Sequence, residues 1–148
     1  MTVGTIMTRK VVTALPDDTL ADVKRIFETR GFHYLIVVDH QRVMGLVSDR
    51  DLLRSLSPFI GRRIEREQDA SSLHRKVHQI MTRRVTTCTE ATSIADAGKL
   101  MLERGLSCLP VVDAEHRCVG ILTTHDLLAW CMVRCAGAGD TCAVPWAA

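Results

Sequence analysis

Gly45-Leu46-Val47-Ser48-Asp49-Arg50-Asp51 returns later in the chain as Gly120-Ile121-Leu122-Thr123-Thr124-His125-Asp126. In each stretch a glycine opens a short apolar run, a hydroxyl residue closes it, and an aspartate follows the hydroxyl three positions on. A hydroxyl and an acid at that spacing form a capping box, so each stretch reads as a strand that runs into a helix. Capping does not account for the glycine. Glycine within a strand lets a second backbone or a ligand approach closely. An exposed helix N-terminus favours an anion, and a carboxylate beside it can accept hydrogen bonds from a sugar diol, as the acid of dinucleotide-binding folds does. Both readings, cap and ligand site, stand together at this level.

The surroundings repeat as well. Ile6-Met7-Thr8-Arg9 recurs 74 positions on as Ile80-Met81-Thr82-Arg83. The same displacement carries Arg30-Gly31 onto Arg104-Gly105 and Val37-Val38-Asp39 onto Val111-Val112-Asp113; one residue inserted in the second hairpin then brings Asp51-Leu52-Leu53 onto Asp126-Leu127-Leu128. Two copies fall short of a solenoid, so the chain reads as a pseudo-symmetric pair.

Within the first copy, Val11 to Thr13 reads as a brief strand. A helix follows, capped by Thr19 with Asp22, presenting Leu20, Val23, Ile26 and Phe27 on one face and ending at Gly31. Tyr34 to Val38 and Val43 to Val47 read as a hairpin about the polar turn His40 to Arg42, and a helix from about Asp49 to Leu56 closes the unit. The second copy keeps this order, with Ser93 and Asp96 at the cap, Ile94, Ala97, Leu100 and Met101 on the apolar face, a hairpin of Cys108 to Val112 and Cys118 to Leu122, and a helix from Leu127 to Arg134. The expected fold class is α+β: two units of strand, helix, strand, strand, helix, packed sheet to sheet, because a unit below about 60 residues is marginal alone. The expected divisions are 1–56, a linker at 57–77 that is a loop excursion or short surface helix, 78–134, and a flexible tail at 135–148.

Composition narrows the function. With 47% hydrophobic but only 4% aromatic residues, the core is aliphatic and a stacking platform for single-stranded nucleic acid is poorly supplied. Nineteen basic residues oppose seventeen acidic ones, and the signs interleave; even Arg62, Arg63, Arg66, Arg75 and Lys76 are diluted by Glu65, Glu67 and Asp69, so no nucleic acid is expected as partner. No run reaches the roughly 18 apolar residues that span a bilayer, and no basic segment leads into an apolar one at the start; the expectation is a cytoplasmic protein with no membrane partner. None of the six cysteines forms a Cys-x-x-Cys pair, which points to free thiols in a reducing compartment. The histidines lack the His-x-x-x-His spacing of a zinc site, and neither a Gly-x-Ser-x-Gly elbow nor a P-loop is present. No metal and no catalytic group are expected, and the chain is not read as an enzyme.

The doubled Gly-x-x-Ser/Thr-x-x-Asp segment, the Leu109-Pro110-Val111-Val112-Asp113 strand and Ile-Met-Thr ahead of each first strand make the chain resemble a tandem pair of cystathionine-β-synthase (CBS) domains, the regulatory arrangement called a Bateman module. The likeness runs from Ile6 to Leu56 and from Ile80 to about Trp130. It implies two clefts between face-to-face sheets, filled by AMP, ADP or ATP, less often by S-adenosylmethionine or NAD, as ligand rather than catalytic cofactor. Carried over, Thr123 and Asp126 hold ribose and phosphate in one cleft, with His33 and His125 as phosphate partners, while Val12, Leu15, His33, Tyr34 and Ile36 surround base and sugar. The second cleft joins Ser48 and Asp51 to Thr86, Thr89, Ser107, Cys108 and Pro110, with Arg50 in the phosphate role. Proline is usual at the position of Ile36, and the clefts differ in polarity, so unequal affinities are expected, with the Asp126 cleft the tighter. The resemblance further implies a homodimer and, with no effector attached, a target protein in trans.

Two other classes of function compete with a nucleotide sensor. One is an interaction module whose clefts stay empty. The other is a thiol or metal sensor built on Cys131 and Cys135, which a spacing of four places on one helical face, where small apolar fillers are the simpler reading.

Overall fold

Four helices in this chain begin with the same local device. Thr19, Ser48, Ser93 and Thr123 each stand in extended backbone or at the end of a strand, and each hydroxyl accepts from the backbone N–H of an aspartate three residues on, at 3.0 to 3.3 Å. The helices that follow are α1 (Leu20–Arg30), α2 (Asp49–Ser55), α3 (Ile94–Arg104) and α4 (Thr124–Gly137). Gly31 and Gly105 end α1 and α3 at φ +64 and +61, a left-handed conformation that costs glycine little. A computed structural model of the protein describes residues 1–57, 60 and 70–137.

In the first unit β1 (Thr13–Ala14) lies parallel to β2 (Tyr34–Asp39), which pairs antiparallel with β3 (Arg42–Ser48). The second unit repeats this with β4 (Cys108–Val112) and β5 (Cys118–Thr123), while Cys88, the equivalent of Ala14, makes a single parallel bridge to Val111. β1 therefore starts two residues later than the pattern at Val11 suggests. α4 is longer at both ends than its apolar positions imply. Between the units the described residues form short 3-10 turns at Ser72–His74 and Val77–Gln79; most of the expected linker, and the tail beyond Gly137, lie outside the described residues.

Each sheet has one face against its own helices and one face against the other sheet. Leu35, Val37 and Val47 pack with Leu20, Val23, Phe27 and Leu52 of α1 and α2. Ile36, Val38 and Val43 turn the other way and meet Cys108, Val112 and Ile121 across the pair. Strict alternation would put Val43 and Leu46 on opposite faces, yet both belong to the inter-sheet layer. A bulge reconciles them: Val38 pairs with Val43 and Val37 with Gly45, leaving Met44 unopposed. The second unit has the same bulge at Val119, between Cys118 and Gly120.

The segment ahead of each unit crosses to the other one. Thr8 exchanges both backbone hydrogen bonds with Ile121 at 2.9 Å, and Thr82 exchanges both with Leu46 at 2.9 and 3.0 Å. Val3 and Met7 fill the core beneath Leu109, Val111 and Leu122, while Val77 and Met81 fill the core beneath Leu35, Val37 and Val47. Each half is closed by the leader of its twin.

This crossing answers what the repeated glycine is for. A Cβ on Gly120 would lie 2.7 Å from Met7 Sδ and 3.0 Å from Thr8 O; on Gly45 it would lie 2.6 Å from Met81 Sδ and 3.0 Å from Thr82 O. The close approach is that of a second backbone with its methionine, and the two repeated motifs, Ile-Met-Thr and Gly-x-x-Ser/Thr-x-x-Asp, are two sides of one contact.

The β2–β3 turn carries strain. His40 and Gln41 adopt φ +47 and +67, the signs a type I′ hairpin turn requires and that Asn-Gly supplies best. A left-handed non-glycine residue costs roughly 1–2 kcal/mol. Replacing the pair by Asn-Gly (His40→Asn with Gln41→Gly) is expected to raise stability by about 1–2 kcal/mol in urea unfolding; unchanged or lower stability would show that the turn is not strained.

Candidate functional site

A cleft of about 740 Å³ opens where the leader, the turn after α1 and the first turns of α2 and α4 come together. Its walls come from both units. The first supplies Thr8, Lys10, Val11 and Val12 from the leader, Phe32 and His33 ahead of β2, Tyr34 at the start of β2, and Asp49 and Arg50 from α2. The second supplies Ser107 ahead of β4, Ile121 and Thr123 from β5, and Thr124, His125 and Asp126 from α4.

The Thr123–Asp126 cap gives the cleft a fixed acceptor. Asp126 Oδ2 accepts from the Thr123 hydroxyl at 2.7 Å and from the Thr123 N–H at 2.8 Å. No described residue donates to Oδ1, so one oxygen anchors the carboxylate and the other can accept from a ligand. Nearby, His33 Nδ1 lies 2.9 Å from Asp49 Oδ2, and the Asp49 N–H donates to the His33 carbonyl at 3.1 Å; helix start and turn hold one another. Val11, Val12, Tyr34 and Ile121 give the cleft apolar surface, and Lys10, Arg50, His33 and His125 give it basic groups.

Of the residues expected in the Asp126 cleft, Val12, His33, Tyr34, Thr123, His125 and Asp126 line it together. Ile36 does not: it is fully buried in the inter-sheet layer, because it alternates with Leu35 and Val37 along β2. Leu15 is 55% exposed and begins the turn ahead of α1, its N–H donating to Asp18 Oδ2 at 2.8 Å. The residues expected in the second cleft are placed as follows. Arg50 and Ser107 line the cleft of Asp126. Cys108 is buried in the inter-sheet layer and Pro110 is likewise buried in β4. Ser48 and Asp51 repeat the cap at α2, with the Ser48 hydroxyl 2.7 Å from Asp51 Oδ2. Thr86 accepts from Arg104 at 3.2 Å, and Thr89 is exposed in the turn before α3, its N–H donating to the Thr92 hydroxyl at 3.0 Å. Sequence reasoning passed over Lys10 and Asp49, although Lys10 follows directly on the repeated leader and Asp49 lies inside the repeated cap.

The cysteines divide by burial. Desolvation pushes the Cys88 thiol up to about 11 and the Cys108 thiol up to about 12, so neither is a thiolate near neutrality. Cys131 is exposed on α4; Cys135 belongs to the same helix, its side chain outside the described residues.

The family model of the CBS domain matches the chain twice, over residues 3–58 and 77–132. The chain belongs to the CBS domain family. A CBS domain-containing protein of Dictyostelium discoideum is 33% identical over 125 residues, 83% of this chain and 86% of its own length. Among solved structures, a Vibrio cholerae protein assigned to acetoin utilization (AcuB) matches at TM-score 0.76 and 25% identity, over 95% of this CBS pair and 98% of that chain. CBSX2 of Arabidopsis thaliana, solved in complex with AMP, matches at TM-score 0.75 and 26% identity, over 90% and 97%. Some relatives are longer: the CBS pair covers 42% and 45% of two Methanocaldococcus jannaschii proteins that are 31% and 30% identical to it. No helix among the described residues is long and apolar enough to cross a membrane.

Proposed function

We propose that this CBS pair is a non-catalytic regulatory module that binds an adenine nucleotide in the cleft between its units. The observation that carries the reading is the cleft itself, built from both units around a capped carboxylate with one oxygen to spare. In this reading the Asp126 Oδ1 accepts from the ribose hydroxyls, Val12, Tyr34 and Ile121 flank the base, and His33 and His125 face the phosphate. The similarity to CBSX2, solved with AMP, supports the ligand class.

Because the walls belong to different units, a ligand that fills the cleft ties them together. It shifts the pair only as far as its affinity differs between two arrangements. The reading includes a homodimer and a target protein in trans, in the cytoplasm. The exposed apolar positions Leu128, Met132 and Val133 of α4, together with Leu53 of α2, suit a face that another chain covers.

A thermal-shift screen of the full chain against AMP, ADP, ATP, NAD and S-adenosylmethionine tests this. A ligand at a hundred times its dissociation constant is expected to stabilise the fold by about 2.7 kcal/mol. If none of them raises the melting temperature, the interaction-module reading replaces this one.

A further inference from the structure

We infer that Val3 and Met7, which lie in the core of the second unit and do not line the cleft, position one of its walls and so set its affinity for ligand. This deepens the nucleotide reading and rests on it. The first leader forms part of that wall through Thr8, Lys10, Val11 and Val12. What holds the leader in place is the second unit. The Val3 N–H donates to the Thr92 carbonyl at 2.8 Å, the Gly4 N–H to the Glu90 carbonyl at 3.0 Å, and the Ile94 N–H to the Met1 carbonyl at 3.3 Å, while Arg9 pairs with Glu90 at 2.7 Å. Val3 is fully buried and Met7 nearly so, both beneath Leu109, Val111 and Leu122.

The seat and the wall are one short piece of chain. Val3–Thr5 is a 3-10 turn, and the Ile6 and Met7 N–H groups both donate to the Val3 carbonyl, at 3.0 and 2.9 Å, so Val3 and Met7 enter the core together. Thr8 follows at once, and its hydrogen-bond partner Ile121 lines the cleft beside it. Two residues on from Ile121, Thr123 begins the cap that holds Asp126. When a core side chain is shortened, its neighbours settle part-way into the space it leaves. At Val3 that movement passes through Met7 to Thr8 and Ile121, and with them to both sides of the cleft. By reciprocity, a ligand that touches this wall holds the leader down.

The second leader supplies the control. Val77 and Met81 are buried to the same degree as Val3 and Met7, beneath Leu35, Val37 and Val47, yet no residue from Val77 to Arg83 lines the cleft.

The test is calorimetric titration of the full chain with AMP, ADP and ATP, for wild type, Val3→Ala and Val77→Ala. Urea unfolding establishes that both variants fold and how much stability each loses. Both are expected to lose stability, but only Val3→Ala to weaken binding of the tightest of the three nucleotides, by about fivefold or more, the size usual for coupling between sites. Hydrogen exchange of the wild type with and without that nucleotide decides the point even if Val3→Ala does not fold. The Val3, Gly4 and Thr8 amides are expected to slow more than the Val77, His78 and Thr82 amides, which hold the equivalent bonds of the second leader. Wild-type affinity in Val3→Ala, equal losses in both variants, or equal slowing in both leaders would overturn the inference and leave the nucleotide reading standing. If none of the three nucleotides binds, both fall.

Discussion

Alanine at Gly120 is expected to lower stability by about 1–3 kcal/mol, the usual cost of forcing extra atoms into a packed site. The new methyl would sit 2.7 Å from Met7 Sδ and 3.0 Å from the Thr8 carbonyl oxygen. The sulfur belongs to a flexible side chain and can withdraw. The carbonyl cannot, because Thr8 is fixed to Ile121 by hydrogen bonds in both directions. Gly45 stands in the same relation to Met81 and Thr82, so Gly45→Ala is expected to cost as much, and the double variant roughly twice a single one, since separated sites add. Urea unfolding of the singles and the double measures this. Met7→Ala should be less damaging in the Gly120→Ala background than alone, because the alanine methyl then occupies part of the space the methionine leaves. Strict additivity of Gly120→Ala and Met7→Ala would mean that the leader does not press on β5 as described.

Alkaline pH should destabilise this fold more than a domain of its composition would otherwise suffer. The ordinary thiol value is 9.0, and burial holds Cys88 near 11 and Cys108 near 12. Above pH 9 the unfolded chain releases protons that the folded chain retains, so raising the pH favours unfolding. The contribution of these thiols is complete below pH 9. It then falls by about 1.4 kcal/mol per thiol per pH unit, the loss levelling off near pH 11 for Cys88 and near pH 12 for Cys108. Unfolding free energies at pH 7, 9, 10 and 11 for the wild type and the Cys88→Ala, Cys108→Ala double variant isolate this from other groups titrating in the range. The variant is less stable at pH 7 and is expected to have the shallower alkaline slope. Equal slopes would contradict the burial of these thiols.

What could be read from the sequence is what is decided locally. The caps at Thr19, Ser48, Ser93 and Thr123, the glycine ends of α1 and α3 and the two hairpins are set by residues within a few positions of each other. The displacement of 74 residues lets each copy check the other. The crossing of the leaders was not legible, because the partner of Thr8 lies more than a hundred residues away at Ile121. For the same reason the repeated glycine left a backbone and a ligand as equal candidates.

The cleft shows the same division. The motif points to Thr123, His125 and Asp126 and the resemblance to His33 and Tyr34, and all five line the cleft. Arg50 and Ser107, which the resemblance places in the second cleft, line the cleft of Asp126; their positions in the chain do not show that one cleft draws on the start of α2 and the turn before β4 together. Ile36 was drawn in by equivalence with Pro110, although its alternation with Leu35 and Val37 already directs it inward.

The account turns on whether the Asp126 carboxylate binds ligand as well as capping α4. Its counterpart Asp22 makes the same box with Thr19, at 2.6 Å from the hydroxyl, but outside the cleft. Asp126→Ala and Asp22→Ala should each lose roughly 0.5–2 kcal/mol of stability as caps. Calorimetric titration with the best ligand of the thermal screen then separates cap from site. Asp126→Ala is predicted to weaken binding by about 1.5–3 kcal/mol, the worth of hydrogen bonds to a charged group, while Asp22→Ala binds like wild type. Wild-type affinity in Asp126→Ala, or equal losses in both variants, would show that the repeated aspartate is a cap alone.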